Sequence, residues 1–384
     1  MIYLDNSATT PVKEQIGKVV YKALTEEFGN PSSLHGYGIR AEKKIDEVRD
    51  LLKKLMGVKD GEIIFTSGGT ESNNLAIFGV ARRYQKEGTH IITSQVEHPS
   101  VLNAARQLEK EGFDITYLPV DETGRVNLEE LKKSLRDDTI LITIQYVNNE
   151  IGTIQPLKEI GEILQQEGHH AFFHTDAVQG LLKLPVIPED LGVHLLSFSG
   201  HKFHAPKGIG GLYIRKGTFL TPLMFGGGQE FNLRSGTENV PGILGLGKAL
   251  ELNYKYYKSK EDALYEKKEK LCNNILENYN EAKLIGPGLR EGSSHILSLG
   301  FRNFEGEVLL RALEEKGVYV STGSACASRK KDKSPVLESI GLSDDYQEGV
   351  IRFSLSYFNS LDEIEQASKK VVEVAMELEK FTKE

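Results

Sequence analysis

One lysine follows directly after a run of apolar residues, in a position that suits covalent chemistry. The run 195–199 is followed by a glycine, a histidine and Lys202, so the amine lies at the end of a predicted buried strand. A lysine amine forms Schiff bases with carbonyl compounds, especially where burial or neighbouring cations lower its pKa. A metal site at His201 and His204 is the alternative, but no carboxylate accompanies the pair as a further ligand. The pattern therefore favours Lys202 as a nucleophile.

A carboxylate ends another apolar run. Residues 171–175 read as a strand, and Asp176 comes directly after them. Parallel sheets carry their chemistry at the carboxyl ends of the strands, so Asp176 is a candidate site residue. A helix N-cap is an equally good interpretation of this aspartate taken alone.

A glycine-rich turn lies between a predicted strand at 62–66 and a predicted helix at 73–85. Backbone amides at a helix N-terminus bind anions, and the glycines at 68–69 allow a phosphate to approach. A plain strand-to-helix turn is the alternative. The run 242–249 has the spacing of a P-loop, but it ends in alanine where a hydroxyl is needed and lies in a helical pattern, so we reject it.

The two cysteines have opposite surroundings. Cys326 lies in a small, polar, basic segment, and cationic neighbours lower the pKa of a thiol and favour the reactive thiolate. Residues 325–334 contain no large apolar side chain, which predicts a mobile segment. Cys272 lies beside Leu271 and Ile275 on a helical pattern, which indicates a buried structural thiol.

Strands and helices that would position these residues alternate along the first part of the chain. The predicted strands are 62–66, 90–94, 115–119, 140–147, 171–175, 195–199 and 211–214. The predicted helices between them include 73–85, 100–111, 128–135 and 156–166. This alternation favours an α/β fold with a mostly parallel sheet covered on both faces.

The composition changes near residue 255. The stretch 253–280 is polar and helical, which predicts a long exposed connecting helix. Strand and helix patterns at 296–301, 305–316, 318–322, 351–356 and 361–380 follow it. We predict a large domain at 15–255 and a small α/β domain formed by 1–14 and 256–384, which carries the segment with Cys326.

Composition excludes several classes of protein. The 384 residues are 39% hydrophobic and 27% charged, as in ordinary globular proteins, with a net charge of −8 at pH 7. There is no basic stripe of the kind that binds nucleic acid. No apolar stretch has the length of a membrane span, and the first residues do not resemble a signal peptide. We therefore expect a cytoplasmic protein.

Ten short motifs run nearly from one end of the chain to the other. They are YLDNSATT at 3–10, GNPSSLH at 29–35, SGGTESNN at 67–74, EHPSV at 97–101, NNEIG at 148–152, DAVQ at 176–179, SGHK at 199–202, RSGT at 234–237, GSAC at 323–326 and RFSL at 352–355. Together they resemble the NifS-type cysteine desulfurases, which are pyridoxal-phosphate enzymes of aminotransferase-like fold. Ala205 and Ser356 replace glycines common in that family, but neither change removes a functional group.

The resemblance implies a fold and an activity. The fold is that of the aspartate aminotransferase-like, fold type I pyridoxal-phosphate transferases, with a mostly parallel sheet in the large domain and a smaller α/β domain. The activity is conversion of L-cysteine to L-alanine, with transfer of the sulfur to Cys326 as a persulfide. That sulfur would supply assembly of Fe–S clusters or thio-cofactors.

The resemblance also implies a role for each site residue. Lys202 binds pyridoxal phosphate as a Schiff base, Asp176 pairs with the protonated pyridine nitrogen, and His98 stacks on the ring and assists proton transfer. The other implied contacts are to the ring hydroxyl and the substrate (Gln179, Asn149), to the phosphate (Gly69, Thr70, Ser199, His201), to the phosphate of the other subunit (Thr237) and to the substrate carboxylate (Arg352). The alternatives are a capping role for His98 and a surface ion pair for Arg352.

The implied partners are L-cysteine, a second copy of the chain and a sulfur-acceptor or Fe–S scaffold protein. No nucleic acid, membrane or resident metal is expected, apart from a transient Fe–S contact at Cys326. Two other functions stay open at this point. One is a different pyridoxal-phosphate reaction, such as selenocysteine lysis or transamination, and the other is a non-catalytic role as a sulfur-relay partner.

Overall fold

The computed structural model describes residues 1–322 and 334–382, without the side chains of 258–261 and 381–382. In these ranges the strands are β1 Ile2–Tyr3, β2 Gly61–Thr66, β3 His90–Ser94, β4 Asp114–Leu118, β5 Thr139–Thr143, β6 Phe172–Asp176, β7 Leu195–Ser199, β8 Gly210–Arg215, β9 Ala282–Ile285, β10 Ile296–Phe301, β11 Val318–Tyr319, β12 Ser321–Thr322 and β13 Val350–Ser354. The helices are α1 Glu14–Thr25, α2 Gly36–Leu55, α3 Gly69–Tyr84, α4 Pro99–Lys110, α5 Leu128–Ser134, α6 Leu157–Gln166, α7 Val240–Asn278, α8 Gly306–Glu315, α9 Pro335–Ser339, α10 Asp344–Gln347 and α11 Leu361–Thr382.

A seven-stranded sheet forms the larger part of the fold. Its strand order is β2-β8-β7-β6-β5-β3-β4, and β8 alone in this sheet runs antiparallel to its neighbours. Strands β3, β5 and β7 are buried along their whole length, which explains their continuous apolar sequence. The predicted α/β fold with a mostly parallel sheet is confirmed.

Neighbouring residues of each strand pack into different cores. Ile91 and Leu195 belong to a cluster with the apolar residues of α3, whereas Ile92 and Leu196 belong to the larger cluster on the other face. Because successive side chains of a strand point to opposite faces, this division shows that both faces are covered. The carboxyl ends of the parallel strands lie together at one edge of this sheet.

A second, antiparallel sheet lies in the C-terminal part of the chain. Its order is β12-β13-β10-β9, and β1 pairs in parallel with β11 beside it. A separate apolar cluster joins this sheet to α7, α8 and α11. The predicted domain boundary at residue 255 lies inside α7, which spans 39 residues, and the division stays a prediction.

Two elements differ from their predicted bounds by about four residues, and a third differs in its predicted exposure. Helix α3 begins at Gly69, four residues before the predicted start, so the glycine-rich turn is part of its first turn. Strand β5 ends at Thr143, short of the predicted residue 147, because the amide of Gln145 is bound by the Glu97 carboxyl group and not by β3. The amides of Ile144 and Tyr146 still donate to carbonyls of β6. Helix α7 is not an exposed connector throughout, since Leu264 and Leu271 are buried.

In the part of the chain that the structure describes, no helix combines the length and the apolar character that a membrane crossing requires.

Candidate active site

Lys202 lies at the end of a buried strand and is held by the N-terminal segment. Strand β7 ends at Ser199, and a short 3-10 turn, Gly200–Lys202, follows it. The Lys202 Nζ donates to the carbonyl oxygens of Ser7 at 2.6 Å and Ala8 at 2.9 Å. The amine is therefore fixed at the carboxyl edge of the sheet.

Asp176 ends strand β6, next to β7 in the sheet, and is 7% exposed. Its Oδ1 accepts the backbone N–H of Val178 at 2.9 Å, and its Oδ2 accepts from Nδ2 of Asn73 at 2.7 Å. These neutral donors satisfy a buried carboxylate without neutralising it, so its negative charge is available to a cationic ligand.

His98 caps helix α4 and also lines the same cavity as Lys202 and Asp176. Its Nδ1 accepts the backbone N–H of Ser100 at 3.1 Å and lies 2.7 Å from the Ser100 hydroxyl. Burial lowers the pKa of His98; the nearby Lys202 lowers it further, and Asp176 acts in the opposite direction. The capping interpretation is correct, and it is compatible with a role in the cavity.

The start of helix α3 forms an anion site at one end of the cavity. Gly68 has φ 155°, which favours glycine, and a Cβ on Gly69 would lie 2.6 Å from Cγ2 of Val178. The first amides of a 16-residue helix therefore face the cavity without side chains in the way. Burial, with help from Lys202 and Lys207, lowers the pKa of the adjacent His201 to about 4, so this ring is neutral.

Arg352, on β13, enters the cavity from the antiparallel sheet. It is 4% exposed, and its guanidinium donates to the Asn149 carbonyl and to Asp5 Oδ1, both at 2.9 Å. The Nε is buried without a partner among the described residues. The ion pair is thus buried, not a surface pair, and the guanidinium keeps donors for a further acceptor.

Gln179 has a fixed amide orientation. Its Oε1 accepts from Lys183 Nζ at 3.1 Å, with His295 Nε2 at 3.4 Å, and its Nε2 donates to the Ser7 carbonyl at 3.0 Å. Burial lowers the pKa of Lys183 to about 7, and Lys202 and Arg352 add to this effect. The donor end of Gln179 therefore faces the N-terminal segment beside Lys202.

A carboxyl group on the far wall contacts the start of α9. Glu150 Oε2 accepts from the Ser334 hydroxyl at 2.6 Å, and Ser334 is also the N-cap of α9. Burial raises the pKa of Glu150 to about 7, although Ser334 and Arg352 act against it. Glu150 therefore changes charge near neutral pH.

Together these residues enclose a cavity of about 620 Å³. The sequence-predicted residues that line it are Gly69, Thr70, His98, Asn149, Asp176, Gln179, Ser199, His201, Lys202 and Arg352. An amine, a carboxylate, a guanidinium and an anion site thus converge on one space of the size that small-molecule sites have.

Comparisons with known proteins agree with this arrangement. The family model for class V aminotransferases matches residues 2–367. Cysteine desulfurase IscS of Dictyoglomus turgidum is 47% identical over 363 residues, which are 94% of this chain and 91% of that relative. IscS of Methanosarcina thermophila is 44% identical over 98% of this chain and 92% of its own.

The chain is a class V aminotransferase of the cysteine desulfurase family. Solved structures give the same result. A NifS-like protein matches with a TM-score of 0.90 and 38% identity, over 97% of this chain and 98% of that protein. SspA in complex with cysteine matches with a TM-score of 0.81 and 36% identity, over 94% and 100% of the two chains. The predicted family and fold are confirmed.

Three sequence-predicted features of this desulfurase lie outside the cavity or outside the described ranges. Thr237 is exposed and is not among the cavity residues. Cys326 and the proposed mobile segment, except Ser334, lie outside the described residues. Cys272 is 1% exposed, and burial raises its pKa to about 11, so the prediction of a buried thiol is confirmed.

The sequence reasoning missed several neutral contacts in the site of this desulfurase. The motifs that contain Ser7, Asn73 and Ser100 gave a family signal, but these residues received no role. Their contribution depends on contacts between distant parts of the chain, such as the one between Asn73 and Asp176. The metal alternative at His204 is disfavoured by the structure, since its Nδ1 and Nε2 are within hydrogen-bonding distance of the Pro11 carbonyl and Ser356 Oγ.

Proposed function

We propose that the protein is a pyridoxal-phosphate-dependent cysteine desulfurase that releases L-alanine from L-cysteine and passes the sulfur to Cys326. The observation that carries the proposal is the convergence of Lys202, Asp176 and His98 on one cavity. An amine for covalent attachment, a carboxylate for a cationic ring nitrogen and an aromatic ring are the groups that this cofactor needs.

The residues fit pyridoxal phosphate in charge and shape. The start of α3 suits its phosphate, and Asp176 suits its ring nitrogen because a buried cation needs a carboxylate partner. Two cavity residues, Ser7 and Asn73, each have a buried side-chain oxygen without a partner among the described residues. When bound, the cofactor supplies an electron sink that stabilises negative charge on the substrate carbon atoms.

Residues of the chain carry out proton transfer and substrate binding in this proposal. Lys202 is the base that takes the proton from the substrate Cα and later returns a proton, because its amine lies at the carboxyl edge of the sheet. Arg352 binds the substrate carboxylate, since a guanidinium matches a carboxylate in a bidentate manner. Asp5 and the Asn149 carbonyl orient that guanidinium.

Sulfur transfer needs a second nucleophile. In the proposal the Cys326 thiolate attacks the substrate sulfur, so an S–S bond forms as the C–S bond breaks. The electron pair of the C–S bond stays with the substrate Cβ, which takes up a proton and becomes the methyl group of alanine. The cationic residues that follow Cys326 in the sequence favour the thiolate.

A matched pair of lysine variants tests the proposal. Lys202→Ala should form no detectable alanine from L-cysteine, and borohydride treatment of the wild-type holoenzyme should attach the cofactor to Lys202. The control is Lys216→Ala, because Lys216 is exposed and its ion pair with Asp60 lies at the surface. The proposal is wrong if alanine formation survives in Lys202→Ala, or if wild-type enzyme yields a keto acid from cysteine.

We also propose a homodimer in which Thr237 reaches the phosphate of the partner subunit. Large apolar side chains are exposed on this chain, and among them Phe225 is 82% and Phe231 54% exposed. Phe219 and Met224 are exposed as well, and this concentration of exposed large apolar side chains within residues 219–231 favours an interaction surface. A sulfur-acceptor or Fe–S scaffold protein would then take the persulfide sulfur, in the reducing cytoplasm where thiols persist. Light scattering of the purified protein tests the dimer.

A further inference from the structure

The ring nitrogen of His98 that faces helix α4 has a defined protonation state. Nδ1 lies 3.1 Å from the backbone nitrogen of Ser100. A backbone N–H can only donate, so Nδ1 must present its lone pair and cannot carry the proton. In the neutral ring the proton is therefore on Nε2, the nitrogen that makes no hydrogen bond to the described residues.

The Ser100 hydroxyl donates to the same nitrogen. Its oxygen lies 2.7 Å from Nδ1 of His98 and accepts from Nδ2 of Asn73 at 2.9 Å. Because the oxygen accepts from Asn73, the hydroxyl hydrogen is left to point at the histidine. Two donors thus converge on Nδ1.

The Asn73 amide is oriented by Asp176. Its Nδ2 lies 2.7 Å from Asp176 Oδ2, and only the NH₂ end of the amide can face a carboxylate favourably. Since the same NH₂ group donates to Ser100, one chain of hydrogen bonds runs from Asp176 through Asn73 and Ser100 to His98. The Asp176 carboxylate at one end and the backbone N–H of Ser100 at the other therefore fix the direction of every donor in this chain.

We propose that Ser100, oriented by Asn73, is a positioning residue that holds His98 as a neutral ring with its proton on Nε2. The N-terminus of the 12-residue helix α4 acts in the same sense, since its positive end disfavours a second positive charge on the capping ring. In the desulfurase reaction, on whose proposal this consequence rests, His98 then donates a hydrogen bond from Nε2 and does not act as a base. Proton abstraction is left to Lys202.

The charged groups around the ring are consistent with a neutral state. Asp176 from β6 favours the charged ring, whereas Lys202 from the turn after β7 disfavours it. Arg106 from α4, Glu150 and Arg352 also line the cavity. Glu97, the residue before His98, is buried, and burial raises its pKa to about 8, although hydrogen bonds from the Gln145 amide and the Ser94 hydroxyl act against this.

Nitrogen NMR of histidine-labelled protein tests the assignment without turnover. The spectrum of the protein with and without pyridoxal phosphate is recorded at about pH 7, and the His98 signals are identified by their loss in His98→Gln. We expect an unprotonated Nδ1 and a protonated Nε2. A proton on Nδ1, or a doubly protonated ring at this pH, overturns the proposal.

Titration of variants tests the role of Ser100. Ser100→Ala should raise the pH at which His98 becomes charged, because a donor to the neutral ring is lost, and Asn73→Ala should raise it less. Ser100→Thr retains the hydroxyl and should restore the wild-type value. Ser134→Ala is the control, since Ser134 bonds to the Glu130 carbonyl on α5. Equal titration of His98 in the wild type and Ser100→Ala would overturn the proposal even if both proteins make alanine.

Discussion

The two walls of the cavity are built in different ways. The wall from the parallel sheet presents Asp176 and Lys202 at the ends of adjacent buried strands, and their partners are backbone groups and a neutral amide. The opposite wall presents Arg352, from β13 of the antiparallel sheet, and Glu150, from the segment after β5. Their side-chain partners are the Asp5 carboxylate and the Ser334 hydroxyl. In the proposed function the first wall holds the reacting groups, whereas the second wall connects the two sheets beside the substrate.

The ionisable side chains of the two walls respond differently to pH. On the sheet wall, burial lowers the pKa of His98, which favours the neutral ring. On the other wall, Glu150 has a pKa of about 7 and contacts Ser334, the first described residue after the segment with Cys326. We therefore expect changes on the sheet wall to abolish the chemistry, and changes on the opposite wall to alter how stability and activity depend on pH.

After the loss of Lys202, the largest effect on turnover is expected at Asp176. Asp176→Ala should lower the turnover of L-cysteine by at least about 100-fold, because a buried cationic ring nitrogen would lose its partner. Asn73 would also lose the acceptor for its amide. Steady-state alanine formation at saturating cofactor measures the effect.

The control for this prediction is Asp190→Asn, an exposed carboxylate in the loop before β7 that should leave turnover unchanged. If the turnover rate of Asp176→Ala is within tenfold of the wild-type rate, Asp176 is not the partner of the cofactor ring nitrogen.

A smaller effect is expected at Glu150, and it concerns stability. The pKa of this carboxyl is about 7 in the folded protein against an ordinary 4.5, so folding favours its protonated form. The loss of folding stability caused by this raised pKa is absent below pH 4.5 and grows as the pH rises to about 7. Above that pH it is constant, at up to about 3 kcal/mol. Glu150→Gln removes this cost and keeps an acceptor for Ser334.

Melting temperatures at about pH 5 and about pH 8 measure this effect. Between these values the wild type should lose more stability than Glu150→Gln, and Glu162→Gln, an exposed control on α6, should behave as the wild type. If the melting temperatures of Glu150→Gln and the wild type change equally with pH, Glu150 does not cause the pH dependence of stability.

The smallest effect is expected at Cys272, in the core behind the second wall. Cys272→Ala should reduce stability by roughly 1–2 kcal/mol at most, because only a small buried side chain is shortened. Its turnover of L-cysteine should equal that of the wild type. Denaturant unfolding measures the stability, and an alanine assay measures the turnover. A large loss of activity with normal stability would mean that Cys272 acts in the reaction and is not only a core residue.

The sequence was sufficient to predict the buried strands and the charged residues that line the cavity. Strands β3 and β7 have their predicted bounds, because strands buried on both faces are continuous apolar runs. The predicted run 140–147 extends beyond β5 because Tyr146 and Val147 are core residues, and an apolar pattern indicates burial but not where a regular strand ends.

Other parts of the site could not be predicted from local pattern. The early start of α3 was missed because a Gly-Gly sequence is typical of turns, and only the packing of Gly69 against Val178 explains it as a helix start. The contacts of Lys202 with the Ser7 and Ala8 carbonyls use backbone atoms, which carry no side-chain signal. Contacts of this kind depend on the tertiary fold.

The most direct test of the proposed function is a single turnover without reductant. Holoenzyme is mixed with one equivalent of L-cysteine per site, alanine is measured, and mass spectrometry locates the added sulfur on the cysteine-containing peptides. We predict one alanine per site and one extra sulfur atom on Cys326, with Cys272 unmodified and neither product in Cys326→Ser. Alanine formed with the sulfur on Cys272, or a keto acid in place of alanine, would contradict the account.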